Sequence, residues 1–151
     1  MVGIMNKLYT IGFTQKSAKK FFELLKNNGV ETIIDIRLNN TSQLAGFAKF
    51  PDVEFFLEEL CTINYIHDIK FAPEEKTLKN YKNKTINWEQ YVAEFNNTMK
   101  NRHIEEYIQE NYKNYDNICL LCSEPTAEKC HRRLIAEIFQ SQYANLQVKH
   151  L

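Results

Sequence analysis

The residues best suited to chemistry lie in two stretches far apart in the chain. In the first, Cys122 and Glu124 precede Cys130, His131 and Arg132. Their frame is an apolar run, Ile118 to Cys122, a polar loop, Ser123 to Lys129, and a helical pattern over 129–140. A thiol at a helix start is acidified by unpaired backbone N–H groups and by the helix dipole, and a neighbouring guanidinium acidifies it further. Cys130 is therefore a candidate nucleophile, with Glu124 or His131 as acid or base. The second stretch is Asp35-Ile36-Arg37 with its polar loop through Ser42. Arg37 and Arg132 have the paired donors to hold a phosphate or carboxylate, and Asp35 is placed to orient Arg37 or to move a proton.

Each candidate also has a structural reading. Cysteine is among the most buried residue types, and Cys119, inside the apolar run, is best read as core. Asp35 and Arg37 are equally consistent with an ion pair closing a strand end. Arg133, Glu137 and Lys129 read as a solvated helix face, and His67 and His103 as locally hydrogen-bonded side chains.

Several known motifs are excluded. Cys119 and Cys122 have CxxC spacing, but on a strand they point to opposite faces, whereas a redox CxxC opens a helix. A phosphatase loop carries an arginine one loop-length beyond its cysteine, where this chain has Glu128 or Ala136. There is no P-loop and no GxGxxG. Zinc on Cys122, Cys130 and His131 would use an uncommon spacing with no evident fourth ligand, so neither metal nor cofactor is expected.

The elements that must position these residues follow from periodicity. Lys7 to Gly12, Val30 to Leu38, Asn64 to Phe71, Ile118 to Cys122 and Leu146 to Leu151 read as strands. Helices are predicted over 17–28, 51–63, 87–100, 104–112 and 129–140. Ser17 caps the first of these and Asn28-Gly29 ends it. Ala72 to Thr85, rich in Lys, Glu and Asn, reads as a surface excursion with about one helical turn. The stripe Trp88, Tyr91, Val92, Phe95 and Met99 reads as core. Alternation of strands and helices predicts one α/β domain over 1–151, with a mainly parallel open sheet of five strands and helices on both faces. Ligands of such folds bind beyond the carboxyl ends of the strands. Gly12, Arg37 to Ser42, His67 to Lys70 and Cys122 to Arg132 all fall there.

Composition is ordinary for a globular domain: 151 residues, 44% hydrophobic, 25% charged, net charge zero. No global field draws the chain to nucleic acid or to membrane, and no apolar run approaches a bilayer span. A cytoplasmic setting with reduced cysteines is expected, without a membrane partner.

The chain also resembles a known family. The segments TIGF, IDIRLNNTSQLAGFAKF, LLCSEPTAEKCHRRLIAE and the closing VKHL resemble the DUF488 family in order over nearly its whole length. The resemblance implies that Gly12, Asp35, Arg37, Ser42, Gly46, Phe47, Cys122, Glu124, Cys130, His131 and Arg132 belong to the family pattern, with His150 in its ending. Many members have a histidine where this chain has Phe13, and a glycine-rich turn where it has Phe71-Ala72-Pro73. The expectation is an enzyme acting on an anionic, phosphate-bearing substrate, either a small molecule or a nucleic acid. Its rivals are a non-catalytic anion or nucleic-acid binding module and, less favoured, a Cys/His metal-binding protein.

Overall fold

In a computed structural model, residues 5–41 and 45–151 are described. Five parallel strands, β1 (Lys7–Gly12), β2 (Thr32–Asp35), β3 (Asn64–His67), β4 (Ile118–Cys122) and β5 (Gln147–His150), lie in the order β3-β2-β4-β1-β5. The central position of β4 explains its unbroken burial. Its side chains alternate between two cores, with Ile118, Leu120 and Cys122 on one face and Cys119 and Leu121 on the other.

Helices α1 (Ala18–Asn27) and α2 (Asp52–Phe55, continued by a π-helical turn over Phe56–Leu60) cover one face through Phe21, Leu25, Val53 and Leu57. The other face carries α3 (Glu75–Lys82), α4 (Trp88–Asn101), α5 (Ile104–Tyr112) and α6 (His131–Gln142). Its core is built from Phe71, Phe95, Met99, Ile108, Leu134 and Phe139. The expected single α/β domain with a five-stranded parallel sheet and helices on both faces is therefore what the chain forms.

The local signals act as their chemistry requires. The Ser17 hydroxyl accepts from the Lys20 amide at the start of α1, and Gly29 takes φ 70° just beyond its end. Asn87 and Gln90 close a reciprocal capping box on α4.

Three expectations are corrected. β2 ends at Asp35 rather than Leu38, because the Arg37 amide turns back onto the Asp35 carboxylate at 3.2 Å. β3 ends at His67 rather than Phe71, because Asp68 caps a 3-10 turn over Ile69–Phe71. The supposed excursion contains all of α3, an eight-residue helix. Its own pattern is polar, and it is held by tertiary contacts: Thr77 donates to Glu94 on α4, and the Tyr81 ring packs on Trp88 and Tyr91.

Chain connections place the crevice. β1 and β2 are followed by α1 and α2 on one face, while β4, lying between them, is followed by α6 on the other. The chain thus leaves β4 in the opposite direction from both neighbours, and a cleft opens beyond its carboxyl end. Cys122 is the last residue of β4.

Candidate functional site

A cleft of about 300 Å³ occupies this position. Arg37, Cys122, Ser123, Glu124, Cys130 and His131 form its floor and near wall. Tyr81, Trp88 and Tyr91, from α3 and α4, form an aromatic far wall beside Pro73 and Leu78. The two stretches that carry chemistry in the sequence thus meet in one cavity.

Cys122 and Cys130 lie at its base, 4% and 3% exposed. Cys130 is the N-cap of α6, one residue before the helix proper, with extended backbone. Its thiol donates to Cys122 Sγ at 2.9 Å. Burial opposes ionisation of Cys122, but the Cys130 hydrogen bond, the Ser123 amide, the Arg132 charge and the Glu124 amide outweigh it and hold its thiol below the usual value. The same hydrogen bond, followed by burial, pushes Cys130 far above that value. The sequence places the acidified thiol at Cys130, at the helix start; the structure places it at Cys122, because Cys130 donates and Cys122 receives.

His131 stands beside this pair, its Nδ1 3.5 Å from Cys122 Sγ. Nε2 lies 2.9 Å from the Ile36 carbonyl, which can only accept, so Nε2 carries the proton. Neutral His131 therefore turns a lone pair toward Cys122.

Arg37 forms the other side. Its Nε and Nη2 bind the two oxygens of Asp35 at 2.8 and 2.7 Å. Asp35 is fully buried and also accepts from Tyr65 Oη at 2.5 Å; Asn40 in turn donates to Tyr65 Oη at 3.0 Å. Burial and then the Asp35 charge push the Tyr65 phenol up, so it remains a donor. Phe13 places its ring 5.4 Å from the Arg37 guanidinium. Arg37 is 3% exposed and lines the cleft, yet its Nη1 has no hydrogen-bond partner. A buried unpaired donor of this kind is costly unless a ligand satisfies it.

Other expected residues lie elsewhere. Arg132 is fully buried beneath the cleft floor, where Nε donates to Thr10 Oγ1 at 3.2 Å and Nη1 to the Glu124 carbonyl. It does not line the cleft. Gly12 does not line it either: a Cβ there would collide with the Glu124 carbonyl and Arg132 Nη1, so glycine is what lets the Ser123–Glu124 loop cross β1. Ser42 lies outside the described residues.

Sequence reasoning missed Tyr65 and Asn40, which hold Asp35, and Tyr81 and Trp88, which wall the cleft. Trp88 belongs to the stripe read as core, and Tyr91, Phe95 and Met99 of that stripe are buried, but its first turn reaches the cleft. Lys129, which the sequence puts on a solvated helix face, lies before α6 begins and lines the cleft, as does Lys82. Among the described residues, the charged groups lining the cleft are Arg37, already paired with Asp35, and Lys82 and Lys129 against Glu124, a small positive surplus that favours anions.

The ligand atoms of Cys122, Cys130 and His131 lie within 4.8 Å of one another, and the carbonyl behind His131 Nε2 is what a metal-bound histidine often has. Two thiolates on one tetrahedral zinc stand about 3.8 Å apart, given Zn–S near 2.3 Å. The sulfurs here are at 2.9 Å, which fits a hydrogen-bonded pair of thiols better than a ligand set.

Among the described residues, no helix is long and apolar enough to cross a membrane. Residues 17–139 match the domain of unknown function DUF488, and the chain belongs to that family. Neither the curated proteins nor the solved structures provide a match.

Proposed function

We propose that this DUF488 protein is a cytoplasmic enzyme that acts on an anionic, phosphate-bearing substrate through the Cys122 thiolate. The observation that supports it best is that an acidified thiol and an arginine with an unpartnered donor line one cleft. In this reading Arg37 Nη1 and the Lys129 and Lys82 ammonium groups receive the anion, while a planar part of the substrate rests on Trp88 and Tyr81. The Cys122 proton passes to His131 Nδ1, and the sulfur attacks the electrophilic centre as the bond to the leaving group breaks, that group taking the proton from His131. Glu124, exposed at the rim, is placed to move the second proton. Arg132 and Gly12 act through position, holding the loop whose amides stabilise the sulfur anion.

The test is alkylation by iodoacetamide at pH 6 to 7, mapped by mass spectrometry, with and without inorganic phosphate or a nucleoside monophosphate. Cys122 is expected to react first, and the anion to slow it. Arg37→Lys keeps the charge but loses the fork that grips Asp35, and should abolish the protection with the fold retained. Equal rates at Cys122 and Cys61, or protection unchanged in Arg37→Lys, would overturn the assignment.

The near-complete burial of both thiols favours a second reading, a non-catalytic module whose cations and aromatic wall bind phosphate-bearing ligands. It predicts that Cys122→Ser leaves the affinity for those ligands intact and that no turnover is ever found.

A further inference from the structure

We infer that Cys122 and Cys130 form a two-electron redox centre that closes to a disulfide when a hydroperoxide enters the cleft. The inference goes beyond the anion reading and does not depend on it.

The geometry is that of an attacking and a resolving thiol. The sulfurs are 2.9 Å apart, so closing to a bond of about 2.05 Å needs a movement of less than ~1 Å. One sulfur ends a rigid central strand, while the other caps α6 after a loop that connects the two. Both are nearly buried and line the cleft. The pair is also polarised: Cys122 receives the hydrogen bond and is the better nucleophile, while Cys130 retains its proton until needed. No other thiol competes, since Cys119 faces the opposite core and Cys61 lies beside α2 on the far face.

The chemistry balances. Cys122 thiolate attacks one oxygen of the hydroperoxide; the O–O bond breaks, an alcohol or water leaves with a proton, and Cys122 becomes a sulfenic acid. Cys130 sulfur then attacks Cys122 sulfur, and hydroxide leaves with the Cys130 proton as water. Two thiols have lost two electrons and two protons, and the peroxide has become an alcohol and water. A low-molecular-weight thiol reverses the step by exchange. In the closed form Cys122 has no thiolate, so any chemistry that uses it stops.

The experiment treats the full chain with hydrogen peroxide at pH 7, blocks residual thiols and maps the peptides without reduction. Cleavage after Lys129 separates the two cysteines, so a bridge is read directly. The expected result is a Cys122–Cys130 link that a reducing thiol removes, formed roughly tenfold faster than oxidation of Cys61, the internal control. In Cys130→Ser, a dimedone-trapped sulfenic acid should accumulate on Cys122; Cys130→Ala guards against a folding defect in that variant. Over-oxidation of Cys122 without a link, first oxidation at Cys61 or Cys130, or release of a stoichiometric zinc ion by peroxide would each overturn the inference. Phosphate protection can fail while the link still forms, which separates this proposal from the previous one.

Discussion

Arg37 and Arg132 are both arginines at the carboxyl edge of the sheet, both are nearly inaccessible, and they do different work. Arg37 spends its fork on a buried carboxylate and lines the cleft with one donor, Nη1, left unpaired. Arg132 binds neutral acceptors beneath the floor, also leaves one donor, Nη2, unpaired, and makes no ion pair with any carboxylate among the described residues. Its charge favours the ionisation of Cys122 instead. The lesson is that a guanidinium in a site motif can serve the ligand or the nucleophile, and that its partners decide which.

The strongest way to break this division is to remove the space under Arg132. Gly12→Ala forces a methyl group into the Glu124 carbonyl and Arg132 Nη1, both fixed by their own contacts. A loss of about 4 kcal/mol is expected from urea unfolding, since backbone must move to relieve the overlap. A near-neutral result would mean that the loop does not cross β1 as described.

Arg132→Met comes next. It preserves much of the volume but leaves the Glu124 carbonyl without its donor and removes the charge that favours the thiolate. About 2 kcal/mol should be lost. More diagnostic is the alkylation profile of Cys122, whose half-maximal pH should rise relative to wild type, while phosphate protection by Arg37 persists. If protection vanished and the profile stayed, the roles of the two arginines would be exchanged.

Tyr65→Phe tests the other half of the comparison. It deletes one donor to the Asp35 carboxylate and leaves Asn40 without its acceptor, while the Arg37 fork remains. A loss of about 2 kcal/mol is expected, typical of a buried hydrogen bond to a charged group. A thermal melt measures it, and phosphate protection should weaken because Arg37 is less firmly held.

What the sequence made legible was local. β1, α1, α5 and β4 follow from period, caps and turn residues, because strands and amphipathic helices write those into neighbouring positions. The convergence of Asp35-x-Arg37 on Cys122 to Arg132 followed from topology alone. The direction of a hydrogen bond between two thiols was not legible, nor was the choice of a guanidinium between cleft and underside. Those depend on Thr10 lying under α6 and on Tyr65, which pairs with Ile33 in the ladder, reaching diagonally to Asp35, contacts made across the sheet. Helix α3 stayed hidden for a similar reason: its stability comes from α4, not from its own pattern.

The smallest expected effect lies at the end of the Arg132 chain of contacts. Arg132 Nε donates to Thr10 Oγ1, and the Thr10 hydroxyl lies 2.6 Å from His150 Nδ1, to which it donates while His150 is neutral. Burial, then the charges of Arg132 and Arg133, hold the His150 pKa below its ordinary value. A histidine depressed in the folded state adds stability above the unfolded value near 6.5, and that contribution is lost as pH falls through the folded value. His150→Gln keeps an acceptor for Thr10 but cannot take up the proton. Urea midpoints at pH 7.5 and pH 5 should therefore drop further for wild type than for the variant, by a modest amount because His150 is only partly covered. Parallel profiles would show that the Arg132 field stops at Thr10, and that its influence is confined to the thiolate side of β1.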